Sequence, residues 1–118
     1  MQVQFEVPGT PISINHMYHQ HGRRRFLCVA GKQYKEKVAN IAKPLFDKPL
    51  ECDIKIELRD TFPDRRLRDC TNYDKGPIDA LTGIAYVDDS QIQECVLKKE
   101  IGNKTTACTK IIVSWNEK

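Results

Sequence analysis

The sequence predicts an α+β fold, a single small domain in which two helices pack a mixed sheet and the elements run βαβαββ. Three observations carry this. Strict alternation of apolar and polar residues occurs twice, first at Val3, Phe5 and Val7, then at Cys52, Ile54, Ile56 and Leu58. Between these strands a helical period sets Tyr34, Val38, Ile41, Ala42 and Leu45 on one face. Beyond a second helical stretch, two strand-like runs are separated by Gly102-Asn103, a pair that favours a hairpin turn.

Taken in order, the first strand ends at Pro8-Gly9, and residues 8 to 30 read as irregular. The helix that follows Gly31 keeps Lys32, Lys35, Glu36 and Lys43 off its apolar face. Pro44 ends or kinks it, and Lys48-Pro49 completes the exit. The next strand turns Asp53, Lys55, Glu57 and Arg59 away from its apolar side. Residues 61 to 69 are a loop or strand extension. A second helix is expected over 72 to 82, with Asn72 as N-cap and Gly83 as stop. The closing strands are 91 to 100 and 105 to 115, paired as a hairpin.

At 118 residues the whole chain, 1–118, is expected to form one domain. Charged residues make up 30% and hydrophobic ones 40%, the balance of a soluble globular protein. No apolar run approaches the ~20 residues of a membrane span, and the start MQVQFEV has no signal-peptide pattern. The five cysteines are widely and irregularly spaced, without C-x-x-C, so they read as reduced thiols of a cytoplasmic protein. Cys70 has no histidine near it in sequence and is not taken as a nucleophile. His16, His19 and His21 lack a suitably spaced cysteine or carboxylate for zinc. No organic cofactor is expected.

The net charge of +3 identifies nothing by itself, but its distribution does. Arg65, Arg66 and Arg68 lie beside an aspartate cluster that runs from Asp69 to Asp88-Asp89. Phosphodiester cleavage needs an activated water and positive charge on the attacked phosphate, and carboxylate-held Mg²⁺ supplies both. Magnesium takes only one or two protein carboxylates per ion, so a small cluster suffices. A second helix of about 11 residues would run ~16 Å, so a return loop could bring Asp69 and Asp89 to one sheet edge. Lys75 would sit in its first turn on the same face as Asn72 and Asp79, where an ammonium stabilises developing negative charge. The arginines would hold DNA phosphates, with Arg23, Arg24 and Arg25 as a second patch. Each element also has a plain alternative: Asp-Asp-Ser as a solvated turn, the arginines as solvated charges, Lys75 and Asp79 as a surface ion pair.

The segment Arg65 to Ile92, RRLRDCTNYDKGPIDALTGIAYVDDSQI, resembles the RusA family of Holliday-junction resolvases. That family carries a basic run, then D-x-D-N-x-x-K, then D-A-L, then D-D-x-Q. Asp69, Asn72, Lys75, Asp79-Ala80-Leu81, Asp88-Asp89 and Gln91 match in order. The opening P-x-S-x-N-x-x-Y, Pro11 to Tyr18 with Asn15, and G-x-x-Y at Gly31 to Tyr34 are similar as well. The resemblance implies a Mg²⁺-dependent homodimeric endonuclease, with Mn²⁺ as an alternative ion, that cuts four-way DNA junctions symmetrically. It implies Asp69 and Asp89 as metal-binding aspartates, Lys75 as the essential lysine and Asp88 as their neighbour. It implies DNA contacts at Asn15, Asn72 and the arginines, and a bacterial or phage origin.

One position departs. Thr71 stands where the family has the second aspartate of D-x-D-N, which removes one negative charge from the site. Asp88 or Asp74 would compensate, and Asp88 is preferred because Asp74 points about 100° from Lys75 on an ideal helix. The second functional reading is a catalytically weak or inactive branched-DNA-binding protein of the same fold.

Overall fold

The computed structural model describes residues 1–116. Strand β1 (Gln2–Pro8) is followed by a one-turn helix α1 (Ile14–Met17) and a hairpin of β2 (Tyr18–His21) and β3 (Arg24–Leu27). Then come α2 (Val29–Ala42), β4 (Ile54–Phe62), α3 (Lys75–Leu81), β5 (Ile92–Ile101) and β6 (Cys108–Trp115). The expected βαβαββ order is present with α1 and the hairpin added. The four-stranded sheet has the order β1-β6-β4-β5, with β4 and β5 parallel and the other pairs antiparallel. The mixed sheet is thus present.

Strand β4 organises the core. Ile54, Ile56, Leu58, Asp60 and Phe62 are all buried. The aliphatic members of this row join Phe5, Val7, Ile111 and Val113 of the sheet with Val38 and Ala42 of α2 and Ala80 and Leu81 of α3. Two-residue alternation on the sheet meets helical spacing on the helices, which makes one layered core. The strand outlasts the expected run at its far end, and Cys52 at the near end is exposed and outside it.

Four expectations change. Residues 8 to 30 are not irregular throughout, since Gly22 at φ 61° supplies the turn that closes the β2–β3 hairpin. Helix α2 begins at Val29 and stops at Ala42, and Leu45 lies beyond it, 44% exposed in a 3₁₀ turn. Pro44 has no N–H with which to continue the helical ladder. Helix α3 begins at Lys75, so Asn72 is not its N-cap; Asp74 takes that position without a side-chain bond. Pro77 explains the late start. A helix from 72 would require its absent N–H to reach the Tyr73 carbonyl, whereas the first turn of a helix from Lys75 needs none.

The fourth correction is the largest. Strands β5 and β6 do not form a hairpin, because β4 lies between them. Crossing one strand means spanning about 9.6 Å, two strand spacings, which a two-residue turn cannot do. Residues 102 to 107 make the crossing. Asn103 Oδ1 accepts from the Thr105 and Thr106 amides at 2.9 and 3.0 Å, and the Gly102 amide is tied to the Phe62 carbonyl at 2.8 Å.

Candidate active site

The loop after β4, helix α1, the start of α3 and the turn before β5 supply most of the walls of two depressions. The first is a cleft of about 420 Å³ lined by Ile14, Arg25, Thr71, Asp74, Lys75, Ile78, Asp79 and Asp89. Lys75 and Asp79 are one helical turn apart, as the spacing requires. The second depression holds Ser13, Asn15, Leu67, Arg68, Asp69, Asn72 and Tyr73. Lys75 and Asp89 therefore line the same cleft, whereas Asp69 lines the second depression together with Asn72 and Asn15.

Local chemistry sets each position. A 3₁₀ turn over Cys70–Asn72 closes through the Asn72 amide on the Asp69 carbonyl at 3.0 Å. It separates Asp69 from Thr71, so the two face different depressions. Asp79 is held by Tyr18 of the hairpin, whose hydroxyl donates to Oδ2 at 3.0 Å. Burial, then that bond, raises the Tyr18 hydroxyl above its ordinary value. The Arg25 guanidinium lies 5.0 Å from the centre of the Tyr18 ring, which carries the hairpin's charge to the cleft wall. Arg23 and Arg24 are exposed beside the hairpin turn.

Asp88 has a different task. Its carboxylate accepts from the Ser90 amide at 3.1 Å, capping the 3₁₀ turn Asp89–Gln91, and hydrogen bonding from Ser90 holds it below the ordinary carboxylate range. It is not among the residues that line the cleft, whereas Asp74 is. The preference for Asp88 over Asp74 assumed an ideal helix through both Asp74 and Lys75. Asp74 itself has helical dihedrals, and its carbonyl accepts from the Ile78 amide at 3.3 Å, so the angle stands; a separation of that size still leaves both side chains on the wall of one cleft.

The arginines also divide. Arg65 is exposed, and Arg66 reaches Asp64 at 3.6 Å with most of its side chain in solvent. Arg68 turns inward. Its side chain is 11% exposed, its guanidinium bonds Asp64 at 2.9 Å and lies 4.5 Å from the centre of the Phe62 ring. Lys99 Nζ donates to the Arg68 carbonyl at 2.8 Å. Arg68 shapes the loop that carries Arg65 and Arg66, and its charge is already engaged. The histidines are spread around the hairpin: His16 Nδ1 pairs with Ser13 Oγ at 2.7 Å, and His19 packs on Phe26.

Sequence reasoning left two residues of this region without a role. Tyr18 was legible only as part of a motif, and its bond to Asp79 spans 61 residues. Asp60 is buried at 4% exposure and accepts from Thr109 Oγ1 at 3.0 Å. Burial pushes its carboxyl up to about 6, Thr109 opposes the rise and nearby Asp74 adds to it. Its signal was present, since Asp60 continues the inward phase of Ile56 and Leu58.

The donor chemistry can be tested against a metal. Asp74, Asp79, Asp89 and Thr71 offer oxygen only, the donor class that Mg²⁺ takes. Among the described residues no three histidine, cysteine, aspartate or glutamate side chains gather into a cage. An ion held by these oxygens would keep most of its waters and use one or two carboxylates.

Oxygen donors and an ammonium lining one cleft, with exposed arginines on the hairpin and on the loop after β4, are the chemistry that hydrolysis of a polyanionic phosphodiester by a nuclease uses. Comparison with known proteins narrows the class. Residues 8–113 match the family described as Endodeoxyribonuclease RusA. The crossover junction endodeoxyribonucleases RusA of Enterobacteria phage 82 and of Escherichia coli K12 are each 37% identical to it over 81 residues, 66% of this chain and 68% of theirs. That of Shigella sonnei is 36% identical over the same length. The chain belongs to the RusA family of endodeoxyribonucleases. Among the described residues no helix is long and apolar enough to cross a membrane.

Proposed function

We propose that residues 1–118 form one Mg²⁺-dependent endonuclease unit that resolves four-way DNA junctions by paired symmetric cleavage, with Mn²⁺ as a substitute ion. The observation that carries this reading is that Lys75 and Asp89 line one cleft together with Asp74 and Asp79. The family relationship supplies the substrate, because its named relatives are crossover junction endodeoxyribonucleases. A homodimer suits the task, since two-fold symmetry offers two clefts to a junction of approximate two-fold symmetry. The setting is the cytoplasm of a bacterium, with the gene bacterial or phage-encoded.

The roles follow from placement. Asp89 and Asp69 would hold the metal from the two depressions, with Asp74 beside Asp89 and Asp88 shaping the turn. When bound, the metal lowers the pKa of water and neutralises charge on the attacked phosphate. Lys75 places its ammonium against the developing negative charge. Asp79, held by Tyr18, adds a carboxylate to the cleft one helical turn from Lys75. Arg23, Arg24, Arg25, Arg65 and Arg66 take phosphates along the arms, while Asn15 and Asn72 border the Asp69 groove. Arg68 supports the loop.

The test is a labelled four-way junction incubated with Mg²⁺ or Mn²⁺ and resolved on a denaturing gel. Paired symmetric nicks are expected, lost in Asp89→Asn and Lys75→Ala. An Asp89→Asn enzyme that cuts at the wild-type rate would refute the assignment. Thr71, a neutral side chain in the cleft, motivates the second reading, a catalytically weak junction binder. Tight binding without product, rescued by Thr71→Asp, would establish that reading instead.

A further inference from the structure

The turn that carries Asp89 is capped from within by Asp88 and fastened to the rest of the fold by the side chain of Gln91. Gln91 Oε1 accepts from the Val87 and Asp88 amides, both at 2.9 Å. Its Nε2 donates to the Leu50 carbonyl at 2.8 Å and the Cys52 carbonyl at 2.9 Å. A primary amide has two donor hydrogens and two acceptor lone pairs, so every bonding position of Gln91 is occupied. The partners also dictate its orientation: two carbonyls can only accept, and two amides can only donate.

The surrounding backbone closes the same knot. The Gln91 amide reaches the Asp88 carbonyl at 3.1 Å, and the Leu50 amide reaches the Ala85 carbonyl at 2.9 Å. The segment leading into β4 and the turn leading into β5 are thus locked together. Asp89 lies between the two ends of this turn and lines the cleft. Among the described residues its carboxylate has no hydrogen-bond partner, so the turn backbone alone aims it.

We propose that Gln91 is a positioning residue for Asp89, setting the metal affinity of the cleft through the 87–91 turn. This rests on the reading of Asp89 as a metal ligand. A carboxylate that no hydrogen bond holds owes its direction to the φ and ψ of its own turn, and Gln91 supplies side-chain contacts that tie that turn to the segment leading into β4. Loosening it spreads the carboxylate over several directions, and metal binding must then select one of them. Groups that orient a metal ligand from behind typically contribute 10- to 100-fold in affinity.

Two variants test this. Gln91→Met keeps the length and removes all the bonds. Gln91→Glu keeps the acceptors and turns an oxygen toward the Leu50 and Cys52 carbonyls. Mn²⁺ affinity is read from the electron paramagnetic resonance signal of free Mn²⁺, and junction affinity from gel shift in EDTA. For both variants Mn²⁺ affinity is expected to fall about 10-fold or more. Junction binding in EDTA stays within about twofold, because the phosphate contacts lie elsewhere. Cleavage recovers as Mn²⁺ is raised. Wild-type Mn²⁺ affinity in Gln91→Met overturns the proposal. So does parallel loss of metal binding, junction binding and circular dichroism in both variants, which would make Gln91 purely architectural. An Asp89→Asn arm separates the two ideas: unchanged Mn²⁺ affinity there removes the ligand reading, whereas loss there without loss in Gln91→Met removes only the role of Gln91.

Discussion

Asp60→Asn isolates the energetic cost of a buried carboxylate in this sheet. Asp60 is 4% exposed, with Thr109 as its hydrogen-bond partner and the buried Tyr34 hydroxyl among its neighbours. Burial lifts its pKa from 3.8 to about 6. At ~1.4 kcal/mol per pKa unit, that places about 3 kcal/mol against ionised Asp60 in the folded state. The sign follows from proton counting. Between those two values the folded chain binds more protons than the unfolded one, so stability falls as pH rises. Well below pH 3.8 both states are protonated and there is no cost; above about pH 7 both are ionised and the cost is complete. Asparagine keeps an oxygen for Thr109 and cannot ionise. The difference in unfolding free energy, Asp60→Asn minus wild type, should therefore rise by about 2 to 3 kcal/mol from pH 4 to pH 7. Urea denaturation of both proteins across that range measures it. The change with pH is the diagnostic, because packing of the new amide is independent of pH. A gap that stays constant from pH 4 to 7, or shrinks, would refute the account of Asp60 as a desolvated carboxyl.

Three further outcomes follow. Arg68→Ala should cost about 1 to 2 kcal/mol in urea unfolding, through the lost Phe62 stacking and Asp64 pairing, whereas Arg65→Ala should leave stability unchanged. In gel shifts Arg65→Ala should weaken junction binding and lower the salt slope by about one; equal stability losses for the two arginines would contradict their different burial. Gly31→Ala would set a Cβ 2.3 Å from the Met17 carbonyl oxygen and 2.7 Å from Leu27 Cδ1, so a loss of about 1 to 3 kcal/mol is expected, and an unchanged melting temperature would disprove this close approach. Thr71→Asp adds a carboxylate to the cleft and should lower the Mn²⁺ concentration for half-maximal cleavage; no change would place Thr71 away from the ion.

What could be read from the chain was whatever depends on neighbours in sequence. Alternation through Val3, Phe5 and Val7 and through Ile54, Ile56 and Leu58 marks strands because successive side chains must face opposite ways. The period of Tyr34, Val38 and Ala42 marks α2 for the same geometric reason. The order Asp69, Asn72, Lys75, Asp79, Asp88-Asp89 and Gln91 already pointed to the family. Alternation does not name a strand's partner, so only the folded sheet could place β4 between β5 and β6. Residue type does not tell an engaged arginine from a free one, and Arg68 differs from Arg65 by the ring and carboxylate that happen to lie beneath it. Helical spacing could not choose between Asp74 and Asp88, because one cleft wall admits neighbouring side chains about 100° apart, and only the folded chain shows Asp88 capping its own turn. The sequence by itself thus determined which elements form and which family their residues belong to. Tertiary structure alone decided which aspartates share a cleft and what aims Asp89, because those bonds join segments about 40 residues apart, beyond any local pattern.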